Sequence, residues 1–169
     1  MSELTPSQTI GPFFREALRW AADETPRDFG VPVVRVTGVV LDGQGDPVPD
    51  AVLEIWQPSL ARRAYPGQRL PGFQRADTVE GGRFAFFVER PATQAVWANV
   101  TVFTRGLLRE LFTRVYIGPE DDPARIALPP GVPQSRAHTL VARRSAVHAG
   151  TFEWDVRLRG EGETVFFSI

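Results

Sequence analysis

His138, His148, Tyr65 and Tyr116 are the only imidazoles and phenols in this chain, and it has no cysteine. Disulfides, thiolate nucleophiles, iron–sulfur ligation and cysteine-rich zinc sites are therefore excluded. A site needing three soft ligands would have to borrow carboxylates, tyrosines or a second chain. Ser135 or Ser145 with His138 and Asp155 could form an acyl-transfer triad, and Glu54, Glu153 and Asp155 could supply a carboxylate pair for glycoside cleavage. Both arrangements are defined by geometry and neither has a spacing signature here. The plainer reading puts His138 near a strand start and His148 at a hairpin tip. Glu54 alternates with Leu53 and Ile55 in LEIW, so a structural ion pair or hydrogen bond competes with catalysis as its role.

Arg105 ends the apolar run VWANVTVFTRG and precedes Gly106, which allows a turn. Its planar guanidinium suits a carboxylate, so substrate contact and a structural salt bridge are both open. Phosphate-loop, dinucleotide, HExxH, GxSxG and calcium-loop patterns are absent. GVVLDGQGD is rich in glycine, but it follows a strand in a turn instead of opening a helix, the wrong setting for cradling phosphate.

The elements that must position these residues read as β structure. Strands are expected over 31–42, 51–56, 83–88, 96–104, 111–117, 139–143, 151–158 and 164–167, all rich in β-branched or aromatic residues and divided by glycine and proline. Their even spacing favours an all-β sandwich over alternating β and α units. Long loops are expected over 57–82, which carries four arginines, and over 118–134. Pro12 suits the first turn of a short helix through FFREALRWAADE, behind an extended arm. The organisation expected is an N-terminal arm and short helix at 1–30, then one sandwich domain at 31–169.

The chain has 169 residues, with Lys+Arg 19 against Asp+Glu 20. One domain with a substantial core fits that length, and a net charge of -1 gives no general attraction to nucleic acid or anionic membrane. MSELTPSQTIGPFF lacks the features of a secretory signal, and no apolar run approaches the roughly 18 residues of a spanning helix, so a cytoplasmic location is expected.

Several stretches then become specific in combination: TPSQTIGPFF, VTGVVLDGQGDPVPDAVLEIWQ, VTVFTRG, TRVYI, LVARR and RLRGEGETVFF. From Thr5 to Phe167 the chain resembles the alpha-type subunits of the intradiol ring-cleavage dioxygenase family, with a trimmed region between Gln57 and Trp97. The resemblance implies ferric iron, Fe(III), held by two tyrosines and two histidines of a partner beta subunit and not by this chain. It implies a higher-order alpha–beta oligomer that cleaves protocatechuate with O2 to 3-carboxy-cis,cis-muconate. The family's iron-binding chains carry HxH on the strand where Trp97 and Asn99 stand here, which makes these two degenerate iron-ligand positions. Tyr65 lies in the region that supplies one ligand tyrosine, and Tyr116 reads as structural. The same resemblance implies that Thr9, Gly11, Pro12 and Arg105 contribute to the substrate pocket of the beta subunit. A helix cap for the first three and a subunit salt bridge for Arg105 are the alternatives. Phe13, Phe14 and Trp20 are expected at the subunit interface. A non-catalytic β-sandwich ligand-binding module is the competing function, and a conventional hydrolase a weaker one.

Overall fold

A computed structural model describes residues 31–61, 70, 72–119 and 126–168, together with Leu18 and Ala21. Thr9, Gly11, Pro12, Phe13, Phe14, Trp20 and Tyr65, with the expected arm and the rest of the expected helix, lie outside the described residues. Among the described residues, nine strands form two sheets: β1 Val33–Leu41, β2 Val52–Trp56, β3 Phe73–Asp77, β4 Arg83–Glu89, β5 Val96–Phe103, β6 Leu111–Ile117, β7 Arg143–Arg144, β8 Thr151–Glu153 and β9 Val156–Arg157. One sheet runs β4-β1-β8-β7, with β9 also paired to β1, and the other runs β3-β2-β5-β6. The second is wholly antiparallel, while β8 and β9 lie parallel to β1.

Period-two alternation explains the layering. Val34, Val36 and Val40 of β1, Leu53 and Ile55 of β2, and Ala98, Val100 and Val102 of β5 all turn inward into one core. Phe84, Phe86, Phe152 and Trp154 fill the space between the sheets. Phe84 stacks on Phe86 and meets Trp154 edge to face, with centroids 6.0 and 6.1 Å apart. Gly38 is required in β1, because a Cβ there would lie 1.8 Å from the Trp154 carbonyl oxygen.

Two glutamines join the sheets along one side. Gln74 of β3 lies in the interior, where its amide donates to the Phe87 carbonyl at 2.5 Å and accepts the Phe87 N–H at 2.8 Å. The Gln57 side-chain oxygen Oε1 accepts the Glu89 N–H at 2.9 Å. β3 and β4 are the edges of their sheets, so these side chains take the place of a missing neighbour strand.

The fold is the all-β sandwich expected, and four local expectations need correction. The stretch 57–82 is not irregular throughout: it holds a short helix, Pro58–Ala61, and β3. Residues 139–143 do not form one continuous strand; Gln134–Leu140 is a 3-10 helix, Val141 makes a single parallel bridge to Tyr116, and Arg143–Arg144 pairs with β8. The Thr139 carbonyl accepts the Trp154 indole N–H at 2.9 Å, and the Thr139 hydroxyl donates to the Arg136 carbonyl at 2.9 Å, so bonds with side chains replace a ladder there. The stretch 151–158 divides into β8 and β9 where Asp155 accepts the Val39 N–H with its carboxylate. The segment 164–167 makes only a bridge, Phe112 to Phe167. Its Val165 carbonyl accepts from Thr113 at 2.7 Å and its N–H donates to Thr139 at 3.2 Å, both through hydroxyls.

Candidate functional site

Because Ala98, Val100 and Val102 of β5 face the core, the intervening Trp97, Asn99 and Thr101 project from the outer face. Antiparallel register places Tyr116 opposite Trp97 and Arg114 opposite Asn99 on β6. Trp56 of β2 flanks Asn99 on the other side. Arg114 donates through Nε to Asn99 Oδ1 at 3.0 Å. Its guanidinium lies 4.6 Å from the Trp97 ring centroid and 5.8 Å from that of Phe167. Both distances are within cation–π range. Among the described residues no carboxylate pairs with Arg114. Beside this cluster Trp97 and Tyr116 wall an open cavity of about 520 Å³, completed by Gln94, Ala95, Pro119 and Ile126. That volume is of small-molecule size.

This residue set does not suit ferric iron. An indole cannot coordinate, the Asn99 carbonyl oxygen is engaged, and a permanent cation already lies against both side chains. Among the described residues no group of three or more His, Cys, Asp or Glu side chains is arranged to hold a metal.

Arg105 is placed elsewhere. Six residues of strand, about 20 Å at about 3.3 Å per residue, separate Trp97 from the end of β5 at Phe103, and Arg105 lies beyond it. Its Nε donates to the Asp50 carboxylate, which also accepts the Thr104 hydroxyl at 3.3 Å. The Arg105 side chain is nonetheless 79% exposed, so the ion pair holds the Nε edge of the guanidinium and leaves most of the side chain at the surface. Gly106, with φ +85°, makes the turn that follows.

The other candidates are dispersed. His138 and His148 are exposed, and neither ring bonds to Ser135, Ser145 or Asp155. The Ser145 hydroxyl instead accepts the N–H groups of Val147 and His148 at 3.3 and 3.2 Å, closing a turn. Glu54 pairs with the buried Arg75 on the outer face of one sheet, while Glu153 and Asp155 face outward from the other. No triad or carboxylate pair is formed by them. In GVVLDGQGD the Asp42 carboxylate accepts the N–H groups of Gln44 and Asp46 at 2.8 and 2.9 Å, so amides a phosphate would use are taken. Those bonds, Asp46 first and then Gln44, hold the Asp42 carboxyl below the ordinary value of 3.8, despite an opposing desolvation contribution. Tyr116 is buried and hands its carbonyl to the Ala142 N–H at 2.9 Å, which supports the structural reading; its ring also walls the cavity.

Sequence reasoning missed Arg114, the centre of the cluster. The signal was present in TRVYI, where a charged residue takes the outward position of a strand between Thr113 and Val115, both buried. Its partner could not be known without the register of β6 on β5.

No family model matches the chain. It is 36% identical over 200 residues to the protocatechuate 3,4-dioxygenase alpha chain of Burkholderia cepacia, covering 98% of this chain and 97% of that one. It is 31% identical over 194 residues to the protocatechuate 3,4-dioxygenase alpha chain of Pseudomonas putida, covering 96% and 95%. Both spans exceed the 169 residues of this chain, so each relative carries residues that it lacks. Among solved structures, the dioxygenase domain of a dioxygenase carbohydrate-binding protein fusion from Streptomyces sp. SirexAA-E matches with a TM-score of 0.56 and 22% identity, covering 94% of this chain and 99% of that one. Hydroxyquinol 1,2-dioxygenase from Pseudomonas putida DLL-E4 matches with a TM-score of 0.55 and 20% identity, covering 92% and 67%. These structural likenesses concern the fold.

Proposed function

Since this chain belongs to the protocatechuate 3,4-dioxygenase alpha-chain family, we propose that it works as the non-iron-binding alpha subunit of a heteromeric intradiol dioxygenase. The observation that carries this reading is identity above 30% over nearly the full length of both relatives. The enzyme so formed cleaves protocatechuate with O2 to 3-carboxy-cis,cis-muconate, and a beta subunit holds the Fe(III) that supplies the oxidative chemistry. The outward residues of β5 support that division, because Trp97 and Asn99 face a guanidinium and offer no ligand pair. No helix among the described residues is long and apolar enough to cross a membrane, and we assign the enzyme to the cytoplasm.

In this reading the chain contributes wall, charge and scaffold to its partner's site. Residues 1–30 act as an arm, with Thr9, Gly11 and Pro12 lining the beta-subunit cavity, and residues 31–169 form the supporting sandwich. Arg105 has the properties its role requires, since its side chain is at the surface while Asp50 steadies the Nε edge of its guanidinium. There it raises the positive potential where a carboxylate-bearing aromatic enters. Fixing that potential before the substrate arrives is what gives it value, because no reorganisation is then needed during the reaction.

Oxygen uptake with protocatechuate tests the assignment. Uptake is expected only when this chain is combined with an HxH-containing beta subunit. Uptake by this chain alone, or none by the reconstituted pair, overturns it.

A further inference from the structure

We propose that Arg114 is a resident cation that has taken over the place of a metal, tying three chain segments together and barring a metal ion from the outer face of β5. The inference rests on reading Trp97 and Asn99 as former ligand positions. The geometry supplies the rest. One guanidinium meets Asn99 Oδ1 at 3.0 Å, the Trp97 ring at 4.6 Å and the Phe167 ring at 5.8 Å. Trp97 and Asn99 belong to β5, Arg114 to β6 and Phe167 to the C-terminal segment that bridges back to Phe112. Phe167 also meets Phe112 edge to face at 6.3 Å, so the segment is held on the β6 side as well. A single charge thus gathers groups distant in sequence, as a bound metal does.

The electrostatics are of an unusual kind. Aromatic faces and an amide oxygen surround the cation, and no carboxylate among the described residues neutralises it. Planarity matters here, because a guanidinium can lie flat over a ring while directing Nε to a side-chain oxygen. A lysine ammonium is tetrahedral and has no planar face to lay over the ring. The same fixed charge stands beside both positions that would have to ligate. Imidazoles restored there would meet a cation in the space a metal ion needs, so two histidines alone would not recreate a site.

Nickel titration of the full chain tests this, with Ni²⁺ as the probe. The variant Trp97→His/Asn99→His is compared with the same pair plus Arg114→Met. Binding at least tenfold tighter in the triple variant is expected, and equal affinity in the two overturns the exclusion of metal. A triple variant that binds no Ni²⁺ overturns the reading of these positions as ligand sites, as does stoichiometric ferric iron in the unaltered chain. The tie is tested separately by Arg114→Lys in the otherwise unaltered chain, which keeps the charge and the fold. A drop of about 5 °C in the thermal midpoint and a change in tryptophan emission are expected. An unchanged midpoint overturns the tie.

Discussion

Arg105 and Asp42 show how one side chain acquires its role from bonds to its neighbours. Arg105 leaves most of its surface exposed although Asp50 pairs with it, and that suits a residue serving a neighbouring chain. Arg105→Ala in the reconstituted enzyme is expected to lower kcat/KM for protocatechuate about tenfold while complex formation, followed by size-exclusion chromatography, stays intact. Equal losses in turnover and assembly would return Arg105 to a purely structural salt bridge. Asp42 makes a prediction about pH. Backbone N–H groups favour its ionised form in the fold and depress its pKa, so its contribution to stability is complete above the unfolded value and is lost as pH falls through the folded one. An NMR titration of Asp42 should find its carboxyl titrating below 3.8. Asp42→Asn, which keeps an acceptor for the turn, should remove this contribution to acid sensitivity.

At the scale of elements, the closure of the sandwich depends on polar side chains that strand patterns do not disclose. Gln74 gives β4 two hydrogen bonds of the kind a neighbouring strand would give. Gln74→Met nearly preserves volume and leaves the buried Phe87 N–H and carbonyl without that partner. The expected cost is about 2–5 kcal/mol of unfolding free energy, measured by urea titration. A loss below about 1 kcal/mol would show that water or a neighbouring group replaces the amide. β1, β2, β4, β5 and β6 were legible in the sequence because each has a run of β-branched or aromatic residues broken by turn formers. β3 was not, since FQRAD buries a glutamine and an arginine and reads as loop. Thr139 and Val165 misled for the opposite reason: their β-branched side chains suit a strand, but hydroxyl groups took up the bonds of their segments.

For the whole molecule, division of labour with a second chain makes the strongest claim. Purified alone, this chain is expected to hold far less than one equivalent of iron, and the alpha–beta complex about one per pair, by metal analysis of both. An iron-loaded single chain would contradict the assignment. Composition, strand spacing and the motifs from Thr5 to Phe167 by themselves determined fold class and kinship, because both are recorded in residue types along the chain. The absence of histidine at 97 and 99 was equally plain in the letters. What stands there instead was decided only by the tertiary structure. Arg114 is fifteen residues from Asn99 along the chain, and antiparallel pairing of β5 with β6 brings its guanidinium onto Asn99 and Trp97. Register depends on the burial of whole strand faces, so no local pattern around Arg114 specifies the contact.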